Sequence, residues 1–161
     1  VGKKLIHKTD VGGVKLNVQN DTEAYAAFMH MKKIPGCEYV VVQPMRKGIE
    51  IIVGGKMDPQ FGPTVLVGMG GVYTEVFKDS SVRIAPLSNT DMDEMIRELK
   101  IYPILEGVRG QKGINFSDLK KILLGVSKLM STGKINELDL NPVIATVENV
   151  QAVDVRIIEG K

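Results

Sequence analysis

Glu137-Leu138-Asp139-Leu140-Asn141-Pro142 alternates polar and apolar residues one by one. In an extended chain, successive side chains point to opposite faces. Glu137, Asp139 and Asn141 then share one face, and Leu138 and Leu140 the other. Pro142 lacks an N–H and restricts continued pairing. A second strand-like run, Ala152-Val153-Asp154-Val155-Arg156-Ile157, follows a short connection. The two runs read as a hairpin, and Asp139, Asn141 and Asp154 converge if they pair. Two carboxylates and an amide oxygen are hard donors. They suit Mg²⁺, which keeps several waters and completes its shell with substrate phosphates. An edge hairpin with a plain, wet polar face accounts for the same alternation.

Working outward, the 161 residues fit one domain or two small subdomains. Apolar residues make up 43% and charged residues 25%, an ordinary balance for a globular protein. A net charge of +2 argues neither for nucleic acid nor for an anionic membrane. The single cysteine, Cys37, excludes an internal disulfide and fits a reducing, cytoplasmic compartment. No apolar run is long enough for a membrane span. The chain opens on Val1-Gly2 without an initiator Met, which is expected of a piece of a longer polypeptide.

Upstream, residues 4–8 and 14–18 read as strands around Asp10-Val11-Gly12-Gly13. Gly12-Gly13 is either a plain hairpin loop or a turn whose amides approach an anion. Asn20 or Asp21 caps a helix with an apolar stripe of Ala24, Ala27, Phe28 and Met31, ended by Pro35-Gly36. Residues 38–45 are a β-branched strand that leaves its sheet at Pro44. Residues 49–53 form the next strand, with Glu50 on the face opposite its isoleucines. That carboxylate is either solvated or placed for a ligand. Asp58-Pro59-Gln60-Phe61-Gly62-Pro63 is a rigid loop before a short strand over 64–68. Gly68-Met69-Gly70-Gly71 implies close backbone approach, and 72–77 looks extended. The dinucleotide-binding glycine fingerprint is absent.

A helix runs from Asn89 or Thr90 to about residue 100, with acids in its first turn. Arg109 stands between glycines in a short loop over 101–110, either an exposed cation or a fork for phosphate. Phe116-Ser117-Asp118 opens a helix whose buried stripe is Leu119, Ile122, Leu123, Val126 and Leu129-Met130. The class is α+β, with antiparallel-leaning strands first and helices followed by a hairpin later.

Taken together and in order, several motifs carry a resemblance. They are Ile6-His7-Lys8-Thr9-Asp10-Val11-Gly12-Gly13-Val14, Asp58-Pro59-Gln60-Phe61-Gly62-Pro63, Gly68-Met69-Gly70-Gly71, Tyr102-Pro103-Ile104-Leu105-Glu106-Gly107-Val108-Arg109-Gly110, Glu137-Leu138-Asp139-Leu140-Asn141-Pro142 and Ala152-Val153-Asp154. The chain resembles the ATP-grasp β subunit or β domain of the NDP-forming acyl-CoA synthetases, over essentially its whole length. That implies an ATP-grasp fold of two α+β subdomains gripping a nucleotide, with the N-terminal part missing from this chain. Residues 1–46 would be a partial first subdomain holding the His/Gly-Gly loop and the hinge. Residues 47–161 would be the second subdomain, holding the Mg-nucleotide site.

The resemblance further implies interconversion of acyl-CoA, ADP and phosphate with the free acid, CoA and ATP, through phosphohistidine. His7 would relay the phosphoryl group, and neutral imidazole is a competent acceptor. Lys8, Gly12, Gly13, Gly70, Gly71 and Arg109 would neighbour the nucleotide and its phosphates. Gln43, Pro44 and Met45 would be the hinge that reads adenine, and Glu50 a nucleotide-pocket carboxylate. Asn141 and Asp154 would ligate Mg²⁺. Asp139 would be a third ligand or the carboxylate that orients a phosphohistidine. The implied cofactors are ATP/ADP and Mg²⁺. The implied partner is a CoA-binding α subunit or fused α domain, in a hetero-oligomer without nucleic acid or membrane. A competing reading is a non-catalytic, ligand-sensing module of a protein lysine acetyltransferase. Retention of His7 argues against it.

Overall fold

The computed structural model describes residues 11–71 and 79–160, in two compact units divided between Arg46 and Lys47. The described part of the first unit contains one helix, α1 (Asp21–Met31). Asn20 caps it by accepting the Glu23 N–H at 2.9 Å, and the Glu23 carboxylate accepts the Gln19 N–H at 3.0 Å. The first bond satisfies one orphan donor of the first turn, and the second ties the residue before the cap to the helix. Of the expected stripe, Met31 is buried, Ala24 and Ala27 are half-buried and Phe28 is exposed.

Residues 14–18 and 38–45 were expected as strands, and neither is one. Leu16 is exposed, and Val42 is 88% exposed. The β-branched run has strand propensity, but propensity describes fit to a pleated, half-buried surface. Among the described residues no neighbouring strand supplies that surface. Residues 4–8 and 72–77 lie outside the described residues.

The second unit is built on an antiparallel sheet. Its elements are β1 (Ile49–Asp58), β2 (Gly62–Met69), β3 (Ser80–Ile84), α2 (Asn89–Arg97), α3 (Tyr102–Glu106), α4 (Phe116–Ser131), β4 (Ile135–Ala145), β5 (Val150–Ala152) and β6 (Val155–Glu159). The strand order is β3-β2-β1-β4-β5, with β6 also pairing β4. At the β1–β2 turn the Asp58 carboxylate accepts the N–H groups of Gln60 and Phe61 at 2.8 and 3.0 Å. These bonds, Phe61's foremost, hold its carboxyl below the usual range.

One face of the sheet is the core. Leu119, Leu123, Val126 and Met130 of α4 are buried with Ile51, Val53, Val65, Val67, Leu138 and Val143 of the strands. The space a side chain would need at Gly55 is filled by Met130 and Val126, so the helix lies directly on β1. The buried Ser127 hydroxyl accepts the Leu87 N–H at 2.8 Å, which satisfies both groups. On the opposite face Ile52 and Gly54 are half-buried and Lys56 is exposed. No described helix is long and apolar enough to cross a membrane.

Several boundaries differ from expectation. Helix α2 begins at Asn89 as expected, capped by Ser88 in a reciprocal box with Asp91, but it ends at Arg97 rather than near residue 100. Residues 102–106 are a short helix rather than loop. Leu129 is 45% exposed rather than part of the buried stripe. Above all, β4 does not stop at Pro142. Ile51 faces Val143 and Val53 faces Leu140, so Asn141 and Pro142 together oppose Ile52 in a bulge. A bulge leaves a residue unpaired on one edge, which is where a missing N–H costs no ladder bond. On the other edge the Pro142 carbonyl accepts the Val153 N–H at 3.0 Å.

Candidate functional site

The polar face of β4 is presented on the half-exposed side of the sheet. Asp139 is opposite Gly54 on β1 and Arg156 on β6. Glu137 is opposite Lys56 and Ile158. Asp154 occupies the break between β5 and β6, and its carbonyl accepts the Asn141 N–H at 3.2 Å. Its carboxylate accepts the Val155 N–H at 3.2 Å. The structure therefore sets Asp154 beside the segment of β4 that carries Asp139 and Asn141.

The electrostatics of that face suit a hard cation. The Asp139 carboxyl is pushed above its ordinary value, chiefly by burial and next by the Glu137 charge. Arg156 opposes the rise, and Asp154 adds to it. Crowded, partly desolvated carboxylates are what a divalent cation relieves. Among the described residues no three His, Cys, Asp or Glu side chains gather as a metal cage. The donors on this face are two carboxylates and an amide oxygen. Mg²⁺ is commonly held by one or two carboxylates, with the rest of its shell from water and substrate phosphates. The donor set fits it.

The same face has an apolar flank that sequence reasoning missed. One row crosses five strands through Val82, Leu66, Gly54, Asp139 and Arg156, each opposite the next. Val82 and the neighbouring Ile84 are 48% and 54% exposed. Gly54, which has no side chain, separates the apolar and charged ends. An amphipathic ligand, flat and apolar at one end and anionic at the other, matches this layout. Alternation within each strand was readable, but the partner of each residue was not.

Other predicted residues lie elsewhere. Glu50 is exposed near the start of β1, and its carbonyl accepts the Gly70 N–H at 2.9 Å. A Cβ at Gly70 would come within 2.8 Å of the Ile51 backbone. At Gly71, with φ +76°, a Cβ would collide with the Glu50 carboxylate. The close approach read from these glycines is therefore to β1 itself. Arg109 is exposed, with φ +52°, between Gly107 and Gly110, and no described hydrogen bond or ion pair ties it to the Asp139 row.

In the first unit, Gly12 has φ +71°, and a Cβ there would lie 3.1 Å from Nε2 of His30. His30, given no role from sequence, thus packs on the Gly12-Gly13 turn. Gln43, Pro44 and Met45 are exposed and outside regular structure. His7 and Lys8 lie outside the described residues.

Comparison with known proteins gives a consistent result. Residues 1–158 match the ATP-grasp domain family. The chain is 42% identical to the β subunit of ADP-forming acetate–CoA ligase I from Pyrococcus furiosus, over 98% of this chain and 72% of that subunit. It is 46% identical to ADP-forming acetate–CoA ligase I from Archaeoglobus fulgidus, over 100% of this chain but 25% of that polypeptide. Among solved structures it resembles the dinucleotide-forming acetyl-coenzyme A synthetase 1 of Ca. Korarchaeum cryptofilum in complex with coenzyme A and Mg-AMPPCP. That match has a TM-score of 0.83 at 39% identity, covering 99% of this chain and 74% of that one. The fold, an antiparallel sheet with helices on one face, and these matches agree that the chain belongs to the ATP-grasp domain family.

Proposed function

We propose that this chain is the nucleotide-binding β part of an ADP-forming acyl-CoA synthetase. The complete enzyme interconverts acyl-CoA, ADP and phosphate with the free acid, CoA and ATP through phosphohistidine. The observation that carries the reading is the Asn141–Asp154 pairing beside Asp139, on a sheet face that is apolar at one end and charged at the other. Residues 47–161 form the Mg-nucleotide subdomain, and residues 1–46 contribute the His/Gly-Gly loop and the hinge.

The division of labour follows from chemistry. His7 carries the phosphoryl group between the partner part and the nucleotide. Lys8, Gly12, Gly13, Gly70, Gly71 and Arg109 neighbour the phosphates. Gln43 to Met45 read the base, and Glu50 contributes to its pocket. Asn141 and Asp154 hold Mg²⁺. Asp139 is a third ligand or orients the phosphohistidine. When bound, the cation neutralises charge on the phosphate oxygens. The rest of catalysis is positioning by preorganised groups.

The partner is a CoA-binding α subunit or fused α domain in a cytoplasmic hetero-oligomer. The relatives named above include both a separate β subunit and a longer single-chain ligase. They are ligases, so the ligand-sensing alternative is not favoured.

The test is ATP formation from ADP and phosphate by the complete enzyme across a panel of acyl-CoAs. Turnover with at least one acyl-CoA, abolished by His7→Ala, is expected. Turnover that survives His7→Ala at the wild-type rate would sink the relay, and no turnover with any acyl-CoA would sink the enzyme reading.

A further inference from the structure

We propose that Arg156 is a phosphate-binding residue of this site, taking the terminal phosphates of a nucleoside di- or triphosphate. The inference rests on the nucleotide reading above and adds a residue that reading does not assign. Arg156 is directly opposite Asp139 across the β4–β6 ladder. Asp154 lies two residues before it, in the break that precedes β6, and the charges of Arg156 and Asp154 both act on the Asp139 carboxyl.

Arg156 is exposed. Three other cations of this unit are held by carboxylates. Arg83 is bonded to Glu98, Lys120 lies 2.6 Å from Asp93 and Lys121 lies 2.9 Å from Asp118. Among the described residues no hydrogen bond or ion pair holds the Arg156 guanidinium, although it faces an acidic row. Its charge acts on Asp139 through space while its donors stay available. A planar fork of N–H donors matches phosphate oxygens two at a time, which an ammonium does not.

Direction follows from the row itself. The row is apolar at Val82 and Leu66 and charged at Asp139 and Arg156, so the anionic tail belongs at the Arg156 end. Glu137, Asp139 and Asp154 would repel that tail. A bound cation offsets part of the repulsion, and Arg156 supplies a fixed positive charge where the tail ends.

The test is calorimetric titration of the complete synthetase with adenosine, ADP and ATP in Mg²⁺, for wild type, Arg156→Gln and Arg156→Lys, beside melting curves. Arg156→Gln should bind ADP and ATP about tenfold more weakly, the factor one charge-assisted hydrogen bond supplies. Adenosine affinity and melting temperature should not move. Arg156→Lys should recover part of the loss, since it keeps the charge without the fork. Equal weakening of adenosine and ATP, no weakening of either, or a lowered melting temperature with unchanged ATP-to-adenosine preference would each overturn the assignment. A wild-type protein that prefers neither ADP nor ATP over adenosine would instead sink the nucleotide reading, and Arg156's role with it.

Discussion

The backbone N–H of Asn141 donates to the carbonyl of Asp154 at 3.2 Å, joining the bulge of β4 to the break between β5 and β6. Both side chains are exposed, and the bond that aligns them is made by the main chain. Substitution of either side chain therefore leaves the alignment in place. Asp154→Asn keeps shape and removes one negative charge, weakening attraction to a divalent cation. The variant should need more Mg²⁺ for nucleotide turnover, with part of the rate recovered at high Mg²⁺. Its melting temperature should stay close to wild type, because Asn keeps an acceptor oxygen for the Val155 N–H and the alignment is made by the main chain. Rate against Mg²⁺ concentration, beside a melting curve, checks both. An unchanged Mg²⁺ dependence would remove Asp154 from the site.

Gly70 is held by packing. Its missing Cβ would lie 2.8 Å from the Ile51 carbonyl carbon and 2.9 Å from its nitrogen. Backbone in the middle of a sheet cannot rotate aside as a side chain can. Gly70→Ala should cost about 1–3 kcal/mol, the usual penalty of overpacking. Denaturant unfolding measures this directly, and a wild-type midpoint would show that β1 yields more easily than the sheet geometry implies.

Leu123 anchors α4 on the sheet and is fully buried. Leu123→Ala removes apolar area and leaves a cavity that close-packed neighbours fill only in part. A loss of about 2–5 kcal/mol is expected by equilibrium unfolding. Leu129→Ala, further along the same helix and exposed, should cost much less. Comparable losses at both positions would contradict the observed face of the helix.

The Glu98 carboxylate accepts from Ser81 at 2.6 Å and is bonded to Arg83, tying β3 to the end of α2. The Arg83 bond first, and the Ser81 bond second, hold its carboxyl below the ordinary glutamate value. A carboxyl with a lowered folded-state value binds fewer protons folded than unfolded. Its contribution is present above the ordinary glutamate range and is lost as pH falls through the lowered value. Glu98→Gln should be less stable than wild type near neutrality and converge with it in acid. Asp58 and Asp91 are lowered as well, so the acid slope should flatten without vanishing. Urea melts across pH, for variant and wild type, test the sign. Parallel curves would show that the network contributes nothing through charge.

Much of this was legible in local patterns. The cap at Asn20, the helix start at Phe116, most of the α4 stripe and the alternation from Glu137 to Asn141 depend only on neighbours within one or two turns. Ordered motifs pointed to the ATP-grasp family, and the matches over residues 1–158 bear that out. The 14–18 and 38–45 runs misled for a related reason: a strand is defined by its partner, and β-branching alone provides none.

Local chemistry thus decided which residues alternate, which cap and which line a helix face. The tertiary structure alone decided the pairings between distant segments. It carried β4 through Pro142 by a bulge, set β1 against Gly70 and packed His30 on Gly12. It also aligned Val82, Leu66, Gly54, Asp139 and Arg156 in one row. Periodicity is a property of one strand's geometry, whereas register is chosen by burial summed over the whole sheet, and a one-residue slip would turn Asp139 into the core.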